Sequence, residues 1–179
     1  MSTCHSCLQG DWYALYTRCR HEFKVHTQLS SKRIHTYLPF FEEVRQWWDR
    51  KKKVKCPLFP GYIFVNCNMD KNNYYDILNT LGVVKVVGNG WPKLSRIPSE
   101  QIESIKIALE SQLPINILPG LQNGDLVQVK SGILKGVRGI LVKKNSKNCN
   151  IVIAIESLNQ SIHVQVDCNK FQVEKISAT

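Results

Sequence analysis

At 179 residues and 43% hydrophobic content, the chain suits one large domain or two small ones and is too apolar to stay disordered. Its formal net charge of +10 (24 Lys+Arg against 14 Asp+Glu) points to a polyanionic partner, nucleic acid before membrane. No apolar run approaches the ~18 residues that span a bilayer, no apolar leader opens the sequence, and seven scattered cysteines make no disulfide framework, so a reduced, cytoplasmic, membrane-free protein is expected.

The charge is not confined to a tail. Residues 1–115 carry 16 Lys+Arg and 10 Asp+Glu, or +6, and residues 116–179 carry 8 and 4, or +4. Residues 1–10 are polar and read as a disordered tail. Cys4 and Cys7 have C-x-x-C spacing with His5 between them, but a structural zinc site wants four ligands and no second C-x-x-C exists. Spare thiols are the expected reading, and no metal is implied.

Asp11 to Arg18 is rich in aromatic and apolar residues and reads as a strand. From about His21 to Arg33 the period turns helical, with Val25 and Leu29 four apart. Arg18, Arg20, His21, Lys24, Gln28 and Lys32 then form a basic, polar stripe. Such a stripe is usually a solvated helix face. It also has the make-up of a comb for phosphates, with His21 and Gln28 able to reach base edges.

Thr36 to Trp47 is extended and aromatic, its start irregular at Pro39. Trp48-Asp49-Arg50-Lys51-Lys52-Lys53 follows, and the whole reads as a hairpin with a basic tip. A charge run is commonly just a solvated loop, but interleaved tryptophans suit nucleic acid, because rings stack on bases while lysines hold phosphates. Pro57 to Val65 (PLFPGYIFV) then gives a sharp turn and a strand that begins after Pro60, which has no N–H to donate. Alternation sends Tyr62 and Phe64 to one face and Gly61, Ile63 and Val65 to the other.

Asp70 caps a helix through Tyr74, Ile77 and Leu81, ended by Gly82; Val83 to Val87 is a strand; Ser99 caps a further helix with Ile102, Ile105 and Leu109 as its stripe. The order strand, helix, strand, strand, helix, strand, helix predicts an α+β fold, an antiparallel sheet with helices on one face. Residues 111–120 hold two prolines and read as a linker. Beyond them, strands at Leu126–Lys130, Val137–Lys143, Ile151–Ile155, Ile162–Val166 and Phe171–Glu174 predict a small all-β barrel. No nucleophile–base spacing, paired-ligand metal motif or phosphate loop is present, so no enzyme and no cofactor is expected.

Two sets of motifs carry a resemblance. Trp12-Tyr13-Ala14-Leu15, Pro57 to Val65 and Gly82-Val83-Val84 resemble the NGN domain of NusG-type transcription elongation factors. Gly124-Asp125-Leu126-Val127-Gln128-Val129, with Gly132, Gly136 and Gly139, resembles the KOW motif of an SH3-like barrel. The resemblance implies an NGN domain over 11–110, a linker over 111–120 and a KOW domain over 121–179. Arg45-Gln46-Trp47-Trp48-Asp49-Arg50 resembles UpxY-type antiterminators of capsule and polysaccharide operons, with RfaH and LoaP as other specialised relatives. Ser131 to Gly136 lacks the G-P-F of housekeeping NusG.

The resemblance further implies partners and sites. An apolar concavity of the NGN sheet would bind the clamp helices of RNA polymerase, through Tyr62, Phe64, Val84 and Val86. The non-template DNA strand would meet Arg18, Arg20, His21, Lys24, Gln28 and Lys32. Ile133, Leu134, Ile155 and Leu158 would be the apolar KOW contacts for a small-subunit ribosomal protein, whereas Glu156–Ser161 lacks the aromatic that suits the termination factor Rho. The expected function is a monomeric bacterial factor that suppresses pausing and termination. The alternatives are a housekeeping NusG coupled to Rho or the ribosome, and a ribosome-associated RNA-binding module. The β character of Ile151 to Ile155 argues against the helical hairpin that this domain forms in free RfaH.

Overall fold

The computed structural model describes residues 10–48, 50–119, 125–143, 148–167 and 173–176. The expected tail, with Cys4 and Cys7, lies outside these. The chain divides into two compact units, residues 1–97 and 98–179.

In the first unit, β1 (Asp11–Thr17), α1 (Glu22–Ser31), β2 (His35–Tyr37), β3 (Phe40–Gln46), β4 (Lys51–Pro57), β5 (Tyr62–Cys67), α2 (Lys71–Leu78), β6 (Val83–Val86) and β7 (Arg96–Ile97) follow in order. The sheet runs β2-β5-β1-β6, with β7 also on β1, and every pairing is antiparallel. The core lies between this sheet and the two helices. Tyr13, Leu15, Ile63, Val65 and Val86 from the strands meet Val25, Leu29 and Ile77 from α1 and α2. Period-2 alternation in β1 and β5 and the four-residue spacing in α1 produce this one-sided apolar layer. Asp70 caps α2 as expected, its carboxylate accepting the Asn73 N–H at 2.7 Å. The extended stretch from Thr36 to Trp47 is split at Leu38–Pro39, so that β3 leaves the main sheet and pairs only with β4.

In the second unit, α3 (Ser99–Glu110), β8 (Ile115–Pro119), β9 (Asp125–Val129), β10 (Arg138–Lys143), β11 (Asn148–Ile155), β12 (Gln160–Asp167) and β13 (Val173–Lys175) follow. They build an antiparallel sheet of order β13-β9-β10-β11-β12-β8. Two expectations are modified. Residues 115–119 of the expected linker are a strand on β12, with Ile117 opposite Ile162. And α3 joins the β unit: the Arg138 N–H donates to Ser104 Oγ at 3.0 Å, and Ile102, Ile105 and Ala108 are buried. This explains why consecutive residues Ile151, Val152 and Ile153 are all buried in β11, since a helix covers the face that would otherwise meet water. Ser99 is the first helical residue rather than the cap, a position held by Pro98.

Candidate functional site

The turn between β4 and β5 fixes the site. Gly61 adopts φ +82°, which glycine alone adopts without strain, and its N–H donates to Glu22 Oε1 at 2.8 Å. Glu22 is a buried carboxylate in the first turn of α1, where the helix dipole favours negative charge. One hydrogen bond therefore ties the start of β5 to the start of the helix that carries the basic stripe. Nothing in a single glutamate marks it in the sequence.

The alternation read for β5 holds: Ile63 and Val65 face the helices, and Tyr62 and Phe64 face away. What covers the second face differs along the strand. Phe64 is fully buried, stacked on Tyr37 at 6.4 Å and edge-on to Phe59 at 5.9 Å. Phe59 packs over it, so Phe64 is part of the core, in contrast to the exposed ring expected. Val86 is buried too, for another reason. It pairs with Leu15 and so points to the helix side of the sheet. Tyr62 and Val84 remain accessible, Val84 at 49% exposure on edge strand β6.

Register adds two residues that sequence reasoning missed. Tyr16 stands opposite Tyr62 across β1 and β5, with ring centroids 5.3 Å apart, and Lys85 stands opposite Tyr16 on the other side. Tyr16 is 39% exposed. Its alternation with Leu15 put it on this face, but only the pairing of strands brings it to Tyr62. The patch is thus Tyr16, Tyr62, Val84 and Lys85.

The basic stripe begins where β1 ends. The Arg18 N–H donates to the Gly82 carbonyl at 2.8 Å, and the His21 N–H to the Arg18 carbonyl at 3.1 Å. Left-handed backbone at Arg20, uncommon outside glycine, turns the chain into α1. Arg18, Arg20 and Lys24 are exposed, and among the described residues no carboxylate pairs with them. The His21 Nδ1–H donates to the Cys19 carbonyl at 3.0 Å.

Gln28 and Lys32 have internal work. Gln28 Nε2 donates to the carbonyls of Leu81 (3.2 Å) and Lys24 (3.3 Å), so its amide N–H groups hold the α2–β6 connection rather than face outward. Lys32 Nζ donates to the Asp76 carbonyl at 2.7 Å and to Thr80 Oγ1 at 2.9 Å. Both acceptors are neutral, so its positive charge is not cancelled. Leu81, between these groups, is 57% exposed.

In the second unit, Leu134, Ile155 and Leu158, expected as partner contacts, are buried: Ile155 by the alternation of β11, Leu158 in the helical turn Glu156–Leu158, and Leu134 in the turn between β9 and β10, where its carbonyl accepts the Val137 N–H at 3.0 Å. Ile133 alone of the four is exposed, at 59%. A shallow cavity of about 220 Å³ lies beside α3, lined by Pro98, Leu126, Arg138 and Ile153 among others. No metal-ligand cluster occurs among the described residues, and none of their helices is long and apolar enough to cross a membrane.

The family model described as transcription termination factor nusG matches residues 10–106, more than half of the chain. The chain belongs to the NusG family. It is 23% identical over 180 residues to the transcription termination/antitermination protein NusG of Halalkalibacterium halodurans, covering 94% of this chain and 100% of that one. With the same protein of Deinococcus radiodurans it shares 24% identity, covering 88% and 95%. A structure of Thermotoga maritima NusG, described as showing domain interaction, matches with a TM-score of 0.51 at 19% identity, over 96% of this chain and 100% of that one, and speaks for the fold alone. NusG-family proteins are transcription factors, not enzymes, and the general function of this chain is that of a NusG-type termination/antitermination factor.

Proposed function

We propose that this NusG-family chain is a specialised antitermination factor. Its NGN part, the unit that ends at Ile97, binds the RNA polymerase clamp helices through the Tyr16–Tyr62 patch. It contacts the non-template DNA strand through Arg18, Arg20, His21 and Lys24, with Lys32 adding charge. It thereby suppresses pausing and termination in target polysaccharide operons. The observation that carries this reading is the linkage by Gly61 and Glu22 of an accessible tyrosine pair to an unneutralised cationic stripe. Aromatic anchors supply interface energy, and the cations supply strand affinity. The mechanism is preferential binding to one polymerase state, which shifts a population without chemistry. Arg45 to Arg50 and the absence of G-P-F in Ser131 to Gly136 favour the specialised type over the housekeeping one. In the KOW unit, Ile133 is the one of the four expected apolar contacts that is exposed for a ribosomal-protein contact.

The test is single-round transcription with purified polymerase on pause-containing templates, beside polymerase pull-downs. Wild type reduces pausing. Tyr16→Ala/Tyr62→Ala loses polymerase capture and activity on every template. Arg18→Ala/Lys24→Ala keeps capture and loses activity only at particular pause sequences. Absence of both capture and any effect of wild type sinks the proposal.

A further inference from the structure

The β3–β4 hairpin stands apart from the main sheet, and its chemistry is not used by either surface above. Residues 40–57 carry six Lys+Arg and three Asp+Glu. Strand pairing sorts them. Lys51, Lys53 and Lys55 alternate onto one face, opposite Gln46, Val44 and Glu42. Lys51 and Lys53 are exposed and about 7 Å apart by strand geometry. The Lys53–Glu42 contact is long, 3.9 Å, and both groups are well solvated.

At the tip, the Trp47 N–H donates to the Arg50 carbonyl at 2.8 Å and closes the turn. Trp47 is 54% exposed and Trp48 fully exposed at 104%. Lys52 Nζ lies 5.8 Å from the Trp47 ring centroid, a cation on a ring face. An indole holds roughly 150–250 Å² of buriable surface. A core role for Trp48 is ruled out by its exposure, and a merely solvated lysine loop has no use for two tryptophans.

The hairpin's base is anchored on α1. Phe40 packs edge-on against Phe23 at 5.8 Å, and Lys55 Nζ sits 4.9 Å from the Phe40 ring. Phe23 is one residue, about 100° of helical turn, from Lys24 of the stripe.

We propose that this hairpin is a second binding site for single-stranded DNA, in which Lys55, Lys53 and Lys51 hold the phosphates along the face that carries Phe40 and, where the strand passes over the tip, Trp48 and Trp47 stack on unpaired bases on the side that Trp47 shares with Lys52. Stacking selects a single strand, because a duplex hides its base faces. The choice of DNA rests on the α1 contact proposed above, since the anchor at Phe23 lets one strand run from α1 onto the hairpin. That path is about 30 Å, a strand of about 20 Å plus a helix width of about 10 Å, or roughly nine stacked nucleotides.

The experiment is fluorescence anisotropy of the full chain with labelled 20-nucleotide single-stranded DNA, RNA of the same sequence and the matching DNA duplex, across a salt series. Wild type binds the DNA single strand tighter than the other two. Trp47→Ala/Trp48→Ala weakens single-strand binding by roughly 5- to 150-fold per stacked base, and Trp47→Phe/Trp48→Phe restores most of it. Lys51→Ala/Lys53→Ala lowers the log–log salt slope by about 1.4, or ~0.7 per phosphate contact. Equal binding by wild type and the double alanine variant overturns the proposal, as does preference for duplex or RNA. Arg18→Ala/Lys24→Ala separates the two ideas. If it is silent while the hairpin variants weaken binding, the α1 contact fails and the hairpin site stands; the reverse pattern fails the hairpin alone.

Discussion

Replacing Glu22 tests the joint on which both surfaces of the first unit depend. In Glu22→Ala, the Gly61 N–H loses a charged acceptor at 2.8 Å in a partly buried setting. A hydrogen bond to a charged group contributes about 1.5–3 kcal/mol, and a carboxylate in the first helical turn about 0.3–1 kcal/mol. The expected loss is therefore about 2–4 kcal/mol. Glu22→Gln keeps an acceptor oxygen and the side-chain length, giving up only the charge, so about 1 kcal/mol is expected. The assay follows from the sequence: all four tryptophans, Trp12, Trp47, Trp48 and Trp91, lie within residues 1–97. Tryptophan fluorescence on heating thus reports the first unit. For a unit of this size each kcal/mol moves Tm by roughly 4–8 °C, so the alanine variant melts at least about 8 °C lower. An alanine variant within about 2 °C of wild type, or a glutamine variant as unstable as alanine, refutes the reasoning.

Further outcomes follow from the same geometry. Gly82→Ala places a Cβ 3.0 Å from both His21 Cβ and Val25 Cγ2 at φ +105°, whereas Gly90→Ala, at φ +82°, meets nothing within 4 Å; on urea titration the first costs about 2 kcal/mol or more and the second only the backbone strain of about 1 kcal/mol. Phe64→Ala, which opens a cavity under Tyr37 and Phe59, destabilises the first unit by about 3–5 kcal/mol, while Tyr62→Ala costs under about 2 kcal/mol by the same measurement. Burial holds the His26 imidazole below its usual value, with Nδ1 2.6 Å from Thr36 Oγ1. Its neutral form is therefore favoured by folding: the stability it contributes is present above about pH 6.5 and lost as pH falls through the folded value, and the fluorescence-detected Tm of His26→Asn lacks that part of the acid dependence. Cys67 is pushed up to about 11 by burial and then by Asp70, so at pH 8.5 iodoacetamide modifies exposed Cys19 well before Cys67, as mass spectrometry of the intact fold will register.

Much of this molecule was legible from local pattern. The alternation through β1 and β5, the Asp70 cap, the tight turn at Gly61 and the short β strands after residue 125 depend on residues close in sequence, and these appear near where the pattern puts them, whereas α2 stops at Leu78, short of the expected end at Gly82. The same holds for which face of β5 carries Tyr62 and Phe64, because a period of two is a property of the strand alone.

What lies against that face was decided only in three dimensions. Tyr62 and Phe64 are equivalent by alternation, yet Phe59 packs over Phe64 and leaves Tyr62 beside Tyr16. Gln28 and Lys32 look like free members of a stripe until α2 and its loop supply their acceptors, 53 and 44–48 residues away in sequence. Helix α3 follows the NGN pattern in order but packs with β10 and β11, because its apolar stripe is buried by whichever sheet face is uncovered. A sequence fixes the direction of a side chain through local backbone geometry; its burial is a property of what the rest of the chain brings to it.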